Sequence, residues 1–261
     1  MDDPVEEIAG PPGAGVLFLC DHASNALPQR FGTLGLAPAQ FERHIAYDIG
    51  AAALTRALAA RFAAPALLTR FSRLLIDPNR GADDPTLVMR LSDGAIIPGN
   101  ADIGTEEIEE RRRLFWRPYR DAVRARLDAM LAAGPVPAII SLHSFTPVWK
   151  GVPRPWEASV LWDADPRLPA PLLEGLRAHG VATGDNEPYD GALEGDTLFE
   201  HGTQRGLPHA LIELRQDLIA EPEGVAHWAG LLEKILRPVL QREGAHMIHH
   251  HASRTQRRNR G

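Results

Sequence analysis

The sequence predicts an α/β domain, a mixed and partly parallel sheet flanked by helices. Three observations carry this expectation. Short apolar runs alternate along the chain with longer segments of helical period, the pattern of strand–helix–strand units. Some runs, Val16–Cys20 among them, are apolar throughout, as strands covered on both faces are. The 261 residues, 44% hydrophobic and 24% charged, suffice for one sizeable core.

The elements follow in chain order. Val16–Cys20 is a buried strand, and residues 38–62 form a helix whose Phe41, Ile45, Asp48 and Ala52 share one face. Residues 66–71 and 74–77 read as strands, the second stopped by Pro78 in an Asp-Pro-Asn-Arg turn. The helix over 105–133 opens on Thr-Glu-Glu-Ile-Glu-Glu and ends before Gly134-Pro135, so both ends are marked. Strands over 137–142, 159–162 and 209–214 follow, with helices over 171–179, 196–205 and 223–241. Segments 81–104 and 146–157 are rich in Gly, Pro and charge, and loops of that length often serve active sites. Residues 1–243 are expected to form a single domain. Residues 244–261, with four histidines and four arginines but no apolar period, are expected to be a disordered tail.

Composition narrows the function. A net charge of −6 argues against a nucleic-acid surface, and no apolar run approaches the roughly 20 residues that span a bilayer. The acidic start Met1-Asp2-Asp3-Pro4 lacks the order of a signal peptide. With Cys20 alone no intramolecular disulfide forms, and a reducing cytoplasm is expected. Neither nucleic acid nor membrane is an expected partner, whereas Arg80, whose guanidinium suits a carboxylate, points to a small acidic molecule.

Four polar clusters end strands. Val16–Cys20 delivers Asp21-His22-Ala23-Ser24-Asn25, and Ile139-Ile140-Ser141-Leu142 delivers His143-Ser144-Phe145. A histidine just past a buried strand is either a zinc ligand or a hydrogen-bonded structural residue, and two at neighbouring strand ends would meet in one crevice. Asp48, among apolar neighbours, requires a partner, either a metal or an arginine such as Arg73. Arg80 carries the planar fork that suits a carboxylate, with Asn79 beside it to donate to a second oxygen; the alternative is a surface Arg–Asp pair beside a turn. Glu213 interrupts the last strand, either paired with Arg215 or facing the site as a general base.

These clusters, in this order, resemble the N-formylglutamate amidohydrolase family, a distant branch of the zinc carboxypeptidase and aspartoacylase superfamily. The matching pieces are Asp21-His22-Ala23-Ser24, Tyr47-Asp48, Ser72-Arg73 with Ile76-Asp77-Pro78-Asn79-Arg80, Leu142-His143-Ser144 and Glu213 to Ile219. The resemblance spans about residues 16 to 240. It implies a zinc-carboxypeptidase-like three-layer architecture with one zinc at the sheet's carboxyl edge, held by His22 and His143. It assigns Glu213 to acid–base work, and places Asn79 and Arg80 where a substrate carboxylate or the reacting carbonyl binds. Asp48 is our choice of third ligand, because the superfamily's His-x-x-Glu is replaced here by an Asn at position 25. Tyr189 and His201 fall in segments that also resemble the family, and Arg73 and Arg154 are candidates to assist at the substrate. The implied reaction is hydrolysis of a small N-acyl amino acid, N-formyl-L-glutamate foremost. The rivals are another N-acyl amino acid or a peptide as substrate, and a non-catalytic binder of an acidic metabolite. Ser24 and Ser144 sit in no Gly-x-Ser-x-Gly elbow, and no Gly-x-Gly-x-x-Gly follows the first strand. Residues around Pro78 and Asp48 depart from the deformylases of histidine breakdown, which suggests a sister subgroup.

Overall fold

Every residue of the run Val16–Cys20 is buried, and its alternate side chains feed two different cores. In the computed structural model, which describes residues 3–255, this run is a central strand of a seven-stranded sheet. The chain runs β1 (Val5–Ile8), β2 (Val16–Cys20), α1 (Ala51–Phe62), β3 (Ala66–Thr69), then a small hairpin of β4 (Leu91–Ser92) and β5 (Ala95–Ile96). One turn of helix α2 (Pro98–Ala101) leads into α3 (Thr105–Arg111) and α4 (Arg117–Ala133), joined by a π-helical stretch at Arg112–Trp116. Then come β6 (Ala138–Phe145), a second hairpin of β7 (Val148–Trp149) and β8 (Val152–Pro153), β9 (Ala158–Leu161), α5 (Pro169–Ala178), β10 (Thr183–Asp185), β11 (His209–Arg215) and α6 (Pro222–Leu240).

The sheet order is β1-β3-β2-β6-β11-β9-β10. The four central strands β3, β2, β6 and β11 are mutually parallel; β1 is antiparallel to β3, and β9 to β11. Phe18, Ile140 and Ile212 pack under α1, α5 and α6, through Leu54, Leu172 and Leu232. Leu17, Leu19, Ile139 and Leu211 pack on the opposite face under α4, through Tyr119, Val123 and Leu127. The result is the expected three-layer α/β/α arrangement. Both faces being covered, the strands need no alternation of polar residues. After β2 the chain turns one way to β3, whereas β6 lies on the other side. The crevice at the carboxyl ends of β2 and β6 is therefore the place where such sheets bind ligands.

Two expected elements differ. Residues 38–62 are not one helix: a 3-10 turn covers Pro38–Glu42, irregular backbone follows, and α1 begins only after Gly50, whose φ of 80° is left-handed. Residues 74–77 are buried yet form no strand. Their backbone groups are met by side chains instead, Asn100 donating to Leu74 O and Arg111 to Leu75 O, while Asp77 N donates to Leu87 O.

Nor do residues 244–255 form a loose tail. Gly206 O accepts from His249 N at 2.8 Å, the His246 ring bonds Val136 O and Leu240 O, and Arg254 is ion-paired to Asp163 and Asp190. Histidine and arginine supplied the anchors that a missing apolar period concealed. The rest of the expected tail, residues 256–261, lies outside the described residues. No helix among the described residues is long and apolar enough to cross a membrane.

Candidate active site

Three strand ends bring the polar clusters together. Asp21 continues the Leu17–Leu19 face of β2, Ser141 and His143 continue the Ile139 face of β6, and Glu213 continues the Leu211 face of β11. Glu213 and His143 are direct cross-strand partners. Asp48 arrives from the irregular segment before α1, held by Asp48 N donating to His22 O at 2.9 Å. Gly50 secures that approach, because a Cβ there would lie 2.2 Å from Ile219 O on a left-handed backbone. Gly50→Ala is accordingly expected to destabilise the fold by about 2 kcal/mol or more, read as a lower midpoint in chemical denaturation.

His22, Asp48 and His143 are all buried, with one ligand atom from each within 4.8 Å of the others. Asp48 Oδ2 lies 3.3 Å from His22 Nδ1 and 2.9 Å from His143 Nδ1. The opposite ring nitrogens are each backed by a carboxylate, His22 Nε2 by Asp77 at 2.8 Å and His143 Nε2 by Asp21 at 3.0 Å. Such backing favours the tautomer with its proton on Nε2, which would leave Nδ1 to an ion, the arrangement that orients histidine ligands of metals. The two carboxylates on His143, Asp21 and Asp48, outweigh burial and hold its pKa well above the usual histidine range. Two imidazoles and one carboxylate, buried but opening on a cavity, fit a catalytic zinc or a similar divalent ion.

The supporting network extends outward. Asp21 also accepts from Ser141 Oγ at 3.0 Å and Thr197 Oγ1 at 2.8 Å, and Asp77 from Asn79 N and from Arg73 at 2.7 Å. Burial opposes ionisation of all three aspartates. The facing histidines outweigh it for Asp48 and Asp21, and Arg73 with His22 outweighs it for Asp77, so all three stay below the usual carboxylate range. Arg73 reaches Asp48 Oδ1 as well, at 3.4 Å, so the arginine partner that its burial demanded is present.

Glu213 differs. Burial raises its pKa to about 7, and its Oε2 has no hydrogen-bond partner among the described residues. It lines a cavity of about 420 Å³, together with His22, Asp48, His143, Arg73, Asn79, Arg80 and Tyr189. The loops at 81–104 and 146–157 contribute Met89, Asp93 and Trp149 to the same walls. The Asn79–Arg80 turn is fixed from behind: buried Arg120 donates to Pro78 O, Arg80 O and Gly195 O, and Trp116 donates to Arg80 O. Glu213 does not pair with Arg215, which bonds Asp217.

Two candidates are not brought into the cavity. Arg154 lies behind its wall, bonded to Tyr189, and His201 is buried beside Glu200, its pKa pushed down to about 4 by burial. The sequence reading missed the roles of Asp21, Asp77, Thr197 and Arg120. For the first two the available signal was an acid adjoining a motif histidine or arginine; for Thr197 and Arg120, no local signal exists.

A parallel-centred sheet with a titratable crevice at its carboxyl edge defines an α/β enzyme. Residues 14–220 match the family model of N-formylglutamate amidohydrolases, so the chain belongs to that family and is an amidohydrolase. Among solved structures it resembles gene product Atu2144 from Agrobacterium tumefaciens, at 35% identity and a TM-score of 0.86, covering 91% of this chain and 95% of that one. It also shares its fold with an N-formylglutamate amidohydrolase from Ralstonia eutropha JMP134, at 22% identity and a TM-score of 0.65, covering 90% and 97%. A comparison with curated proteins finds no match.

Proposed function

We propose that this chain is a zinc-dependent hydrolase of small N-acyl amino acids, with N-formyl-L-glutamate, cleaved to formate and L-glutamate, as the leading substrate. The observation that carries the reading is the unpartnered, high-pKa Glu213 beside a His22–Asp48–His143 cluster in one cavity. These three residues would hold the ion, which would supply Lewis acidity toward the amide carbonyl and acidify the attacking water. Arg80 binds the substrate's α-carboxylate, and Asn79, whose Oδ1 accepts from Thr197 N, frames that contact. Arg73 faces the carbonyl oxygen as it becomes an oxyanion. Glu213 takes a proton from the attacking water as its oxygen bonds the formyl carbon. It then delivers that proton to the amide nitrogen as the C–N bond breaks. A cytoplasmic setting is supported by the lone, buried Cys20.

Formate release from N-formyl-L-glutamate, followed before chelation, after it and after zinc return, tests the reading. Release that chelation abolishes and zinc restores is the expected result. No release from zinc-replete protein on any N-formyl amino acid would overturn it.

A further inference from the structure

Arg154 carries a buried positive charge with no ion pair among the described residues. It is 8% exposed, and among the described residues no carboxylate lies within ion-pair distance of its guanidinium. Its surroundings are aromatic: the guanidinium carbon lies 5.1 Å from the Tyr189 ring centre, 5.5 Å from Trp149 and 5.6 Å from Phe145. Its side chain makes two hydrogen bonds, from Nη1 to Thr146 O at 3.4 Å and from Nη2 to Tyr189 Oη at 3.0 Å. Phe145, Thr146, Trp149 and Tyr189 all line the catalytic cavity. The box is thus one wall of the cavity with a cation inside it. Phe145 stands two residues beyond His143 on the same strand face, a step of about 7 Å.

Ring faces attract a guanidinium but leave its charge in place, and a buried charge without a counter-ion is costly. Arg80, half-buried on the cavity wall, likewise makes no ion pair among the described residues, although its charge is felt at Asp77 and Asp196. Two guanidiniums without an ion pair among the described residues thus stand at the cavity, Arg80 in its wall and Arg154 behind it. Arg73, tied to Asp77 and Asp48, is not a third.

We propose that Tyr189 forms a second anion subsite, its hydroxyl donating to the side-chain carboxylate of a dicarboxylic N-acyl amino acid while Arg154 supplies positive charge from behind the cavity wall and Arg80 takes the α-carboxylate. Tyr189 Oη accepts from Arg154 and so has its own hydrogen to donate into the cavity, where Arg154 makes it a stronger donor. Burial raises the Tyr189 pKa, which keeps that hydrogen in place at neutral pH. The subsite rests on the amidohydrolase reading above and makes it selective for an acidic side chain.

The test compares N-formyl-L-glutamate with its neutral isostere N-formyl-L-glutamine. Formate release is measured on the zinc-loaded enzyme, and binding is measured by calorimetry on zinc-loaded E213Q. The wild type is expected to favour glutamate by about 30-fold in kcat/KM, and E213Q to bind it correspondingly tighter. R154M is expected to lose most of that preference through KM, R154K to keep part of it, and Y189F, which retains the ring, to lose about 10-fold. Equal handling of the two compounds by the wild type, or equal losses on both in R154M and Y189F, would overturn the subsite. Release without preference overturns the subsite and leaves the amidohydrolase reading intact. Preferential binding without release does the reverse, and neither binding nor release overturns both.

Discussion

Replacing Glu213 with Gln is expected to lower kcat on N-formyl-L-glutamate by about 10³-fold while leaving zinc bound and the protein folded. Glutamine keeps the shape and a carbonyl oxygen but accepts no proton, and Glu213 contributes no atom to the His22–Asp48–His143 set. The same substitution has a second effect of opposite sign. Burial has moved the Glu213 pKa from an ordinary 4.5 to about 7, so the folded chain binds the proton more tightly than the unfolded chain does. Stability from this group is fully present below pH 4.5 and is lost as pH rises toward 7. Above that, an ionised Glu213 costs about 3 kcal/mol. Chelator-treated E213Q should therefore be more stable than chelator-treated wild type at pH 8, with the difference shrinking to nothing by about pH 4. Denaturant titrations at several pH values read this directly. Retained turnover, or a stability difference that does not change with pH, would remove Glu213 from its role.

That dual behaviour marks which parts of this site the sequence revealed. Strands β2, β6 and β11 were legible because short runs dominated by apolar residues leave few alternatives. His22, His143 and Glu213, as polar residues at or within such runs, stood out with them. Asp48 was placed in the cluster for a reason that was only half right. Its apolar neighbours did signal burial, but the helical period across 38–62 is interrupted, and a left-handed Gly50 instead brings the carboxylate in from irregular backbone. Leu74, Leu75 and Ile76 were rightly read as buried and wrongly as a strand. The side chains of Asn100 and Arg111, 26 and 36 residues downstream of the Leu74 and Leu75 carbonyls they bond, satisfy groups that a sheet neighbour would otherwise meet. The pairing of Asp21 with His143 joins residues 122 apart, and no spacing rule reports a contact of that kind. Arg154 was picked out for its charge, but its aromatic enclosure depends on how the β7–β8 hairpin packs against Tyr189.

The backing carboxylates lead to the other large effect, on metal retention rather than on proton transfer. His143→Ala is expected to leave no stoichiometric zinc after gel filtration, because the remaining His22 and Asp48 no longer close around an ion. It also strips Asp21 and Asp48 of a partner and so costs about 3 kcal/mol of stability. Milder substitutions separate the two consequences. Asp21→Asn keeps the size of the side chain but weakens the acceptor that holds His143 Nε2, and should lower zinc affinity by about 10–100-fold with the fold retained. Asp77→Asn should do the same through His22. Asp77, however, also anchors Arg73 and the backbone of Asn79, so its loss should raise KM as well, even at saturating zinc. Competition titrations against a chromophoric chelator, paired with steady-state kinetics at saturating zinc, distinguish these variants. Full zinc occupancy in His143→Ala would remove the metal assignment outright. Equal KM values for Asp21→Asn and Asp77→Asn would detach the metal set from the Arg73–Asn79 side of the cavity, and the two halves of the site would then be neighbours rather than one device.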